Sequence, residues 1–238
     1  MFTILYVKSA ILSRELMRRY KEMYKLVLFD MDGTIADTDG MLVATFIEMY
    51  RLYRPDFTPT IDYMLTFSGP PIYDTLQREF PNLEPQFAFE EFRRISLPNY
   101  DKFVKAYPYV RELVEQLHQR GIKAGIVTSK HRFASEYTLR LMKLDGVFDL
   151  LVAYDDVTEP KPNPEGIIKS MNYFKITNKS DILYVGDTVT DYLTARNAEV
   201  DMALVTWTPR QIPDFVKPNY LLDSYEDFFE VINHEQTN

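Results

Sequence analysis

The sequence predicts an α/β protein, a doubly wound parallel sheet (Rossmann-like core) with a small all-helical unit inserted after its first strand. Three observations predict it. Short apolar runs without polar alternation recur along the chain, as strands covered on both faces require. Stretches with apolar residues at helical spacing separate them, the order that builds a parallel sheet. Between residues 55 and 98 that alternation breaks down, and seven of the chain's 14 prolines punctuate short helical pieces there.

Residues 1–22 stand apart, with five basic side chains against two acidic ones. The apolar stretch Phe2–Val7 lacks the basic start and small-residue cleavage site of a signal peptide. These residues are expected to form an N-terminal extension, either an accessory helix carrying Leu5, Ile11, Leu12 and Leu16 on one side or residues upstream of a start at Met23. Leu26-Val27-Leu28-Phe29 is then the first strand. Met41 to Tyr53 has helical spacing, with Asp37 or Thr38 as its N-cap. Pro55, Pro59, Pro70, Pro71, Pro81, Pro85 and Pro98 divide the next stretch of chain into short helices such as Ile72–Phe80 and Phe87–Ile95. The expected boundaries are residues 37–104 for the helical unit, and 23–36 with 105–238 for the sheet domain.

Beyond Pro108, Tyr109 to Arg120 reads as a helix closed by Gly121, and Ile122 to Val127 as a strand. Phe133 to Leu144 is helical, and Leu150 to Ala153 extended. Glu165 to Phe174 is helical, Ile182 to Val185 extended, Tyr192 to Asn197 helical and Met202 to Val205 extended. Five strands are thus expected. His118, His131 and His234 are read as surface or helix-face residues, and Trp207 as packing on the sheet edge.

Composition narrows the function. With 46% apolar and 26% charged residues the chain is an ordinary globular one. A net charge of −8 argues against nucleic acid as a partner, because phosphate backbones demand a basic surface. No apolar run approaches a membrane span, so no membrane partner is expected. There is no cysteine, which excludes disulfides, thiolate chemistry and zinc–thiolate sites. A cytoplasmic location is expected on that ground.

Polar residues gather where the strands end. The first strand runs into Asp30-Met31-Asp32-Gly33-Thr34. Alternation places Asp30 and Asp32 on one side and Met31 on the other. Two acids side by side are unfavourable unless a cation lies between them. The plainer reading is a strand followed by an Asp-Gly turn. Thr128 and Ser129 end the second strand, Lys161 precedes Pro162, and Asp187 and Asp191 flank the start of a helix. Singly, Thr128 would serve as a helix cap, Lys161 as a loop lysine, and Asp187 and Asp191 as helix-start acids favoured by the dipole. Together they cluster at the strands' carboxyl ends, where open parallel sheets bind ligands.

Asp30-Met31-Asp32-Gly33-Thr34, Thr128, Lys161, and Gly186-Asp187 with Asp191, in that order on those elements, resemble the haloacid dehalogenase (HAD) superfamily phosphohydrolases with a helical cap. The resemblance covers residues 24 to about 232. It implies Asp30 as the nucleophile forming an aspartyl-phosphate, and Asp32 as the acid and base that moves protons. It implies Mg²⁺ held by Asp30, the Asp32 backbone carbonyl and Asp187, with Asp191 acting indirectly. It implies Thr128, Ser129 and Lys161 as phosphate-binding groups, and Gly33 with Thr34 as the turn along which the backbone approaches the phosphate. An acid at position 32 fits phosphatases and phosphomutases rather than dehalogenases. No histidine falls between residues 37 and 104, where sugar phosphomutases of this branch carry one. The cap segment Ser68–Asp74 resembles one found in the phosphoglycolate phosphatase and inorganic pyrophosphatase branches, and the resemblance of Tyr154–Val157 and Thr206–Thr208 leans further towards the pyrophosphatase branch. The implied partner is a small phosphorylated metabolite or pyrophosphate, with Arg51, Arg78, Arg93 and Arg94 as candidate anion contacts from the cap. A sugar-phosphate phosphomutase, and a catalytically silent binding or regulatory protein on the same fold, are the alternatives.

Overall fold

A computed structural model describes residues 24–234. The extension over residues 1–22 lies outside them. β1 (Leu26–Phe29), β4 (Lys123–Val127), β5 (Leu150–Val152), β6 (Ile182–Gly186), β7 (Asp201–Val205) and β8 (Tyr220–Leu222) form a sheet in the order β5-β4-β1-β6-β7-β8. Every neighbouring pair in it is parallel. β1 is central because both its faces are apolar. Leu26 and Leu28 face one core cluster, with Tyr184, Ile167 and Met202, while Val27 and Phe29 face the other, with Val114, Leu117 and Ile126.

Helices α5 (Val110–Gln119), α6 (Arg132–Leu141), α7 (Glu165–Phe174), α8 (Val189–Ala198) and α9 (Phe228–His234) connect or follow the strands. The chain moves outward from β1 through β4 to β5, then returns to β6 on the opposite side. The crevice at the carboxyl end of β1 is the switch point.

The helical unit comprises α1 (Asp39–Tyr53), α2 (Ile61–Leu65), α3 (Ile72–Glu79) and α4 (Pro85–Phe103). It has its own core, with Phe46, Met49, Phe67, Leu76, Phe80 and Phe92 among its members. It leaves and rejoins the sheet domain through a two-stranded antiparallel ribbon of β2 (Ala36–Asp37) and β3 (Lys105–Ala106). Its polar centre is Glu79, a buried carboxylate accepting from Tyr50 Oη at 2.7 Å, Tyr63 Oη at 2.8 Å and Arg78 Nε at 2.7 Å. Burial alone would push this carboxyl up, but these donors hold it below the usual carboxylate range.

The structure adds to the expected elements at three places. β8 is a sixth strand, missed because three residues show no usable pattern. The β2–β3 ribbon is shorter still. α4 runs through Pro98, where the proline predicts a break. A proline inside a helix removes one amide and clashes with the preceding turn, and here α4 buries Phe92, Ile95 and Tyr100 on either side of it. Thr38 holds the N-cap position of α1 but makes no side-chain cap hydrogen bond. No helix among the described residues is long and apolar enough to cross a membrane.

Candidate active site

Asp30 follows β1 directly, and its amide donates to Val185 O at 2.8 Å, so the sheet extends to the first carboxylate. Asp187 follows β6 on the adjacent strand. Asp191 lies in the first turn of α8, where it forms a capping box with Thr188. One oxygen each of Asp30, Asp187 and Asp191 lies within 4.8 Å of the others, and all three residues are buried. Gly33 makes this packing feasible. Its φ is +84°, and a Cβ there would stand 2.1 Å from Asp187 Oδ2.

The buried side of the cluster is filled by Lys161. Its ammonium donates to Asp30 Oδ1 at 2.6 Å, Asp191 Oδ1 at 2.7 Å and Tyr184 Oη at 3.1 Å. Burial works against its charge, but Asp191 and Asp30 lift it well above the usual lysine range. Asp191 is held low despite burial by Lys161 and by donation from Thr188. Burial pushes Asp30 up to about 7 against the pull of Lys161. Asp187 is also pushed up by burial, which the Arg210 guanidinium opposes.

Three residues outside the expected set complete the site. Lys130 Nζ donates to both oxygens of Asp32, at 2.8 and 3.0 Å. Asp32 lifts that ammonium above the lysine range although burial favours the opposite. Arg210 donates from Nε to Asp187 Oδ2 at 3.1 Å and pairs with both Asp39 oxygens at 2.6 and 3.1 Å. It thereby ties the start of α1 to the acid cluster. Trp207 does not simply pack the sheet edge. Its Nε1 donates to Gly33 O at 3.1 Å, and its ring meets Tyr107 and Tyr225. Lys130 had a signal, being next to Thr128-Ser129. Trp207 lies in the Thr206–Thr208 segment that the resemblance already singled out, whereas nothing in the sequence around Arg210 marks it.

Above the cluster opens a cavity of about 940 Å³ between the sheet domain and the helical unit. Asp30, Asp32, Thr128, Ser129 and Lys130 line one end of it. Ser129 lines the cavity, and its Oγ is buried without a hydrogen-bond partner. Gly33, Thr34 and Lys161 do not line this cavity. Thr34 is fully buried with its hydroxyl 3.4 Å from Asp187 Oδ1, so its contribution runs through that carboxylate. Of the cap arginines, Arg93 and Arg94 reach the cavity. Arg51 pairs with Glu48, and Arg78 with Glu79. His131, expected at the surface, lines the cavity and is held by Asp155 at 2.7 Å.

The charges around the site bear on what it could hold. Asp30, Asp32, Asp39, Asp187 and Asp191 face Lys130, Lys161 and Arg210, an excess of two negative charges. An all-oxygen cluster with that imbalance fits a hard divalent cation such as Mg²⁺.

Residues 27–205 match the model of the family described as haloacid dehalogenase-like hydrolases. Among curated proteins, the pyrophosphatase PpaX of Bacillus cereus strain Q1 is 33% identical over 209 residues, spanning 87% of this chain and 95% of that protein. The PpaX of Halalkalibacterium halodurans is 35% identical over 212 residues, with the same shares. A crystal structure from Lactobacillus plantarum, described as a candidate phosphoglycolate phosphatase, superposes with a TM-score of 0.76 at 24% identity, covering 87% of this chain and 99% of that one. That last likeness concerns the fold.

Proposed function

This chain belongs to the haloacid dehalogenase-like hydrolase family, and from that premise we propose that it is a Mg²⁺-dependent phosphatase working through Asp30, on a small phosphate monoester or pyrophosphate. One observation carries the reading. Asp30, grouped with the buried Asp187 and Asp191 and backed by Lys161, lines a cavity that also contains Asp32, Thr128 and Ser129.

In the proposed reaction the Asp30 carboxylate oxygen attacks phosphorus, and the bond from phosphorus to the leaving oxygen breaks. Asp32 gives its proton to that oxygen. The leaving group departs, and Asp32, now a carboxylate, takes a proton from water as the water oxygen attacks the phosphoryl group on Asp30. The Asp30–phosphorus bond breaks, releasing inorganic phosphate and restoring Asp30. The Thr128 and Ser129 hydroxyls hold phosphoryl oxygens. Lys161 favours the charged forms of Asp30 and Asp191 and holds both in place. Asp30, Asp187 and the Asp32 carbonyl would hold the magnesium ion, with Asp191 fixing the loop around it, and the bound ion would supply charge stabilisation of the phosphoryl group. The unit over residues 37–104 acts as a cap that closes on the leaving group and shuts out water.

The test is phosphate release from a panel of phosphorylated metabolites, pyrophosphate included, with and without Mg²⁺. Turnover requires the cation, and Asp30→Asn removes it while the protein stays folded by circular dichroism. An Asp30→Asn protein retaining full activity would refute the mechanism, and a folded wild-type protein inert on the whole panel would refute the activity.

A further inference from the structure

We propose that the substrate of this site is a phosphate monoester whose leaving group carries a planar aromatic ring, taken in preference to pyrophosphate or phosphoglycolate. This rests on the phosphohydrolase reading above and deepens it.

The first observation is size. The cavity of about 940 Å³ stands near the top of the roughly 300–1,000 Å³ range of pockets that engulf drug-sized ligands. Pyrophosphate displaces on the order of 150 Å³, judged from the ~30 Å³ share of a water molecule. In the cap position seen here most of the space would then stay wet.

The second is the chemistry of the walls. The carboxylates and hydroxyls that handle phosphate gather at one end. The remaining walls include Tyr73, Phe89, Phe92, Leu97, Tyr100 and Phe133, interspersed with charged side chains, among them Glu90, Arg93, Arg94 and Arg132. Leu97 and Phe133 are 51% and 59% exposed, so large apolar side chains are left facing this space. Against the rings themselves a second phosphate or a carboxylate would lose water and gain no partner, and its one uncommitted cationic partner among the cap arginines would be Arg93. A ring would bury apolar surface against them.

The third is the arrangement of the rings. Tyr73 and Phe89 stack at 4.3 Å with 19° between planes, forming a flat slab on the cap side. His131 approaches it from the sheet domain, 5.7 Å from Tyr73 and 5.1 Å from Phe89. The Arg93 guanidinium stands 5.9 Å from the Phe89 ring and 5.4 Å from the Phe133 ring. Among the described residues Arg93 makes no ion pair. A planar cation beside two aromatic rings suits a planar ligand with polar ring substituents. Arg94, by contrast, is committed to Glu91.

The experiment compares kcat/KM with Mg²⁺ for adenosine 5′-monophosphate, flavin mononucleotide and pyridoxal 5′-phosphate against phosphoglycolate and pyrophosphate. At least one ring-bearing ester exceeds both of the others by tenfold or more, and which one leads identifies the ring type. Phe133→Ala, at an exposed position that the fold tolerates, and Phe89→Ala each lower the ratio of ring-bearing to phosphoglycolate kcat/KM by about tenfold. The matching dephosphorylated ring compound inhibits competitively. Highest kcat/KM on pyrophosphate or phosphoglycolate, or a ratio unmoved by both substitutions, overturns the aromatic assignment and leaves the phosphohydrolase standing. No turnover of any of the five compounds overturns both.

Discussion

Lys161→Met isolates what the buried ammonium does. The lysine side chain is 5% exposed and its two carboxylate partners are 5% and 0% exposed. Methionine keeps the apolar stem and removes the charge, leaving Asp30 and Asp191 facing each other without compensation. Breaking a buried pair from one side costs about 3–5 kcal/mol. For a domain of this size each kcal/mol shifts Tm by about 2–4 °C, so the expected drop in EDTA is about 6–20 °C. The excess negative charge of the site rises from two to three, so an added divalent cation recovers part of the loss. A cation bound only by the folded state at a hundredfold its Kd restores about 2.7 kcal/mol. Thermal unfolding followed by circular dichroism, in EDTA and then in excess Mg²⁺, measures both effects. In excess Mg²⁺, phosphate release by the variant falls at least a hundredfold. The exposed Lys169→Met serves as control and moves Tm by less than about 2 °C. A Lys161→Met protein within 2 °C of wild type in EDTA would refute the claim that this ammonium neutralises the acid cluster.

Gly33→Ala combines a φ of +84° with a Cβ placed 2.1 Å from Asp187 Oδ2, so Asp187 must move. Calorimetry is expected to show weakened Mg²⁺ binding, with phosphate release lost by more than about a hundredfold, a 1 Å misplacement being enough for such a loss. Asp32→Asn preserves shape but cannot carry a proton, and kcat falls about 10²–10⁴-fold on alkyl phosphates. The loss is smaller on p-nitrophenyl phosphate, whose leaving group departs without a proton, and an equal loss on both would contradict the acid role. In the cap, Glu79 has a depressed pKa. Its stabilising contribution is therefore complete above the unfolded value of about 4.3 and disappears as pH falls through the lower folded value. Between pH 5 and pH 3 the wild type loses more Tm than Glu79→Gln, whereas parallel Tm curves would show that Glu79 is not held ionised by its tyrosines and Arg78.

The sheet and the order of its site residues were legible in the sequence because the signals are local. Leu26–Phe29 is apolar on both faces, and Asp30 and Asp32 come within three residues of its end. Asp187 and Asp191 likewise lie directly beyond Ile182–Gly186. Alternation alone puts such residues at the carboxyl edge of a parallel sheet. Short elements escaped for the same reason, since Tyr220–Leu222 and the two-residue ribbon strands are too brief to show a period. α4 persisted through Pro98 because its packing in the cap core is a tertiary matter that no single residue announces.

What the tertiary structure decided is which groups answer those acids. Lys130 meets Asp32 across 98 residues, Arg210 meets Asp39 across 171, and Trp207 meets Gly33 across 174. No spacing rule reaches so far, and nothing in the sequence pairs any of these residues with its partner. The same holds for the cavity. Phe89 and Phe133 have helical spacing suited to any core, and only the placement of the cap over the sheet turns them toward an opening that ends at Asp30. The carboxylates at the end of β1 follow from local sequence. Their counter-charges, and the shape of the molecule they admit, arise from contacts that exist only once the chain has folded.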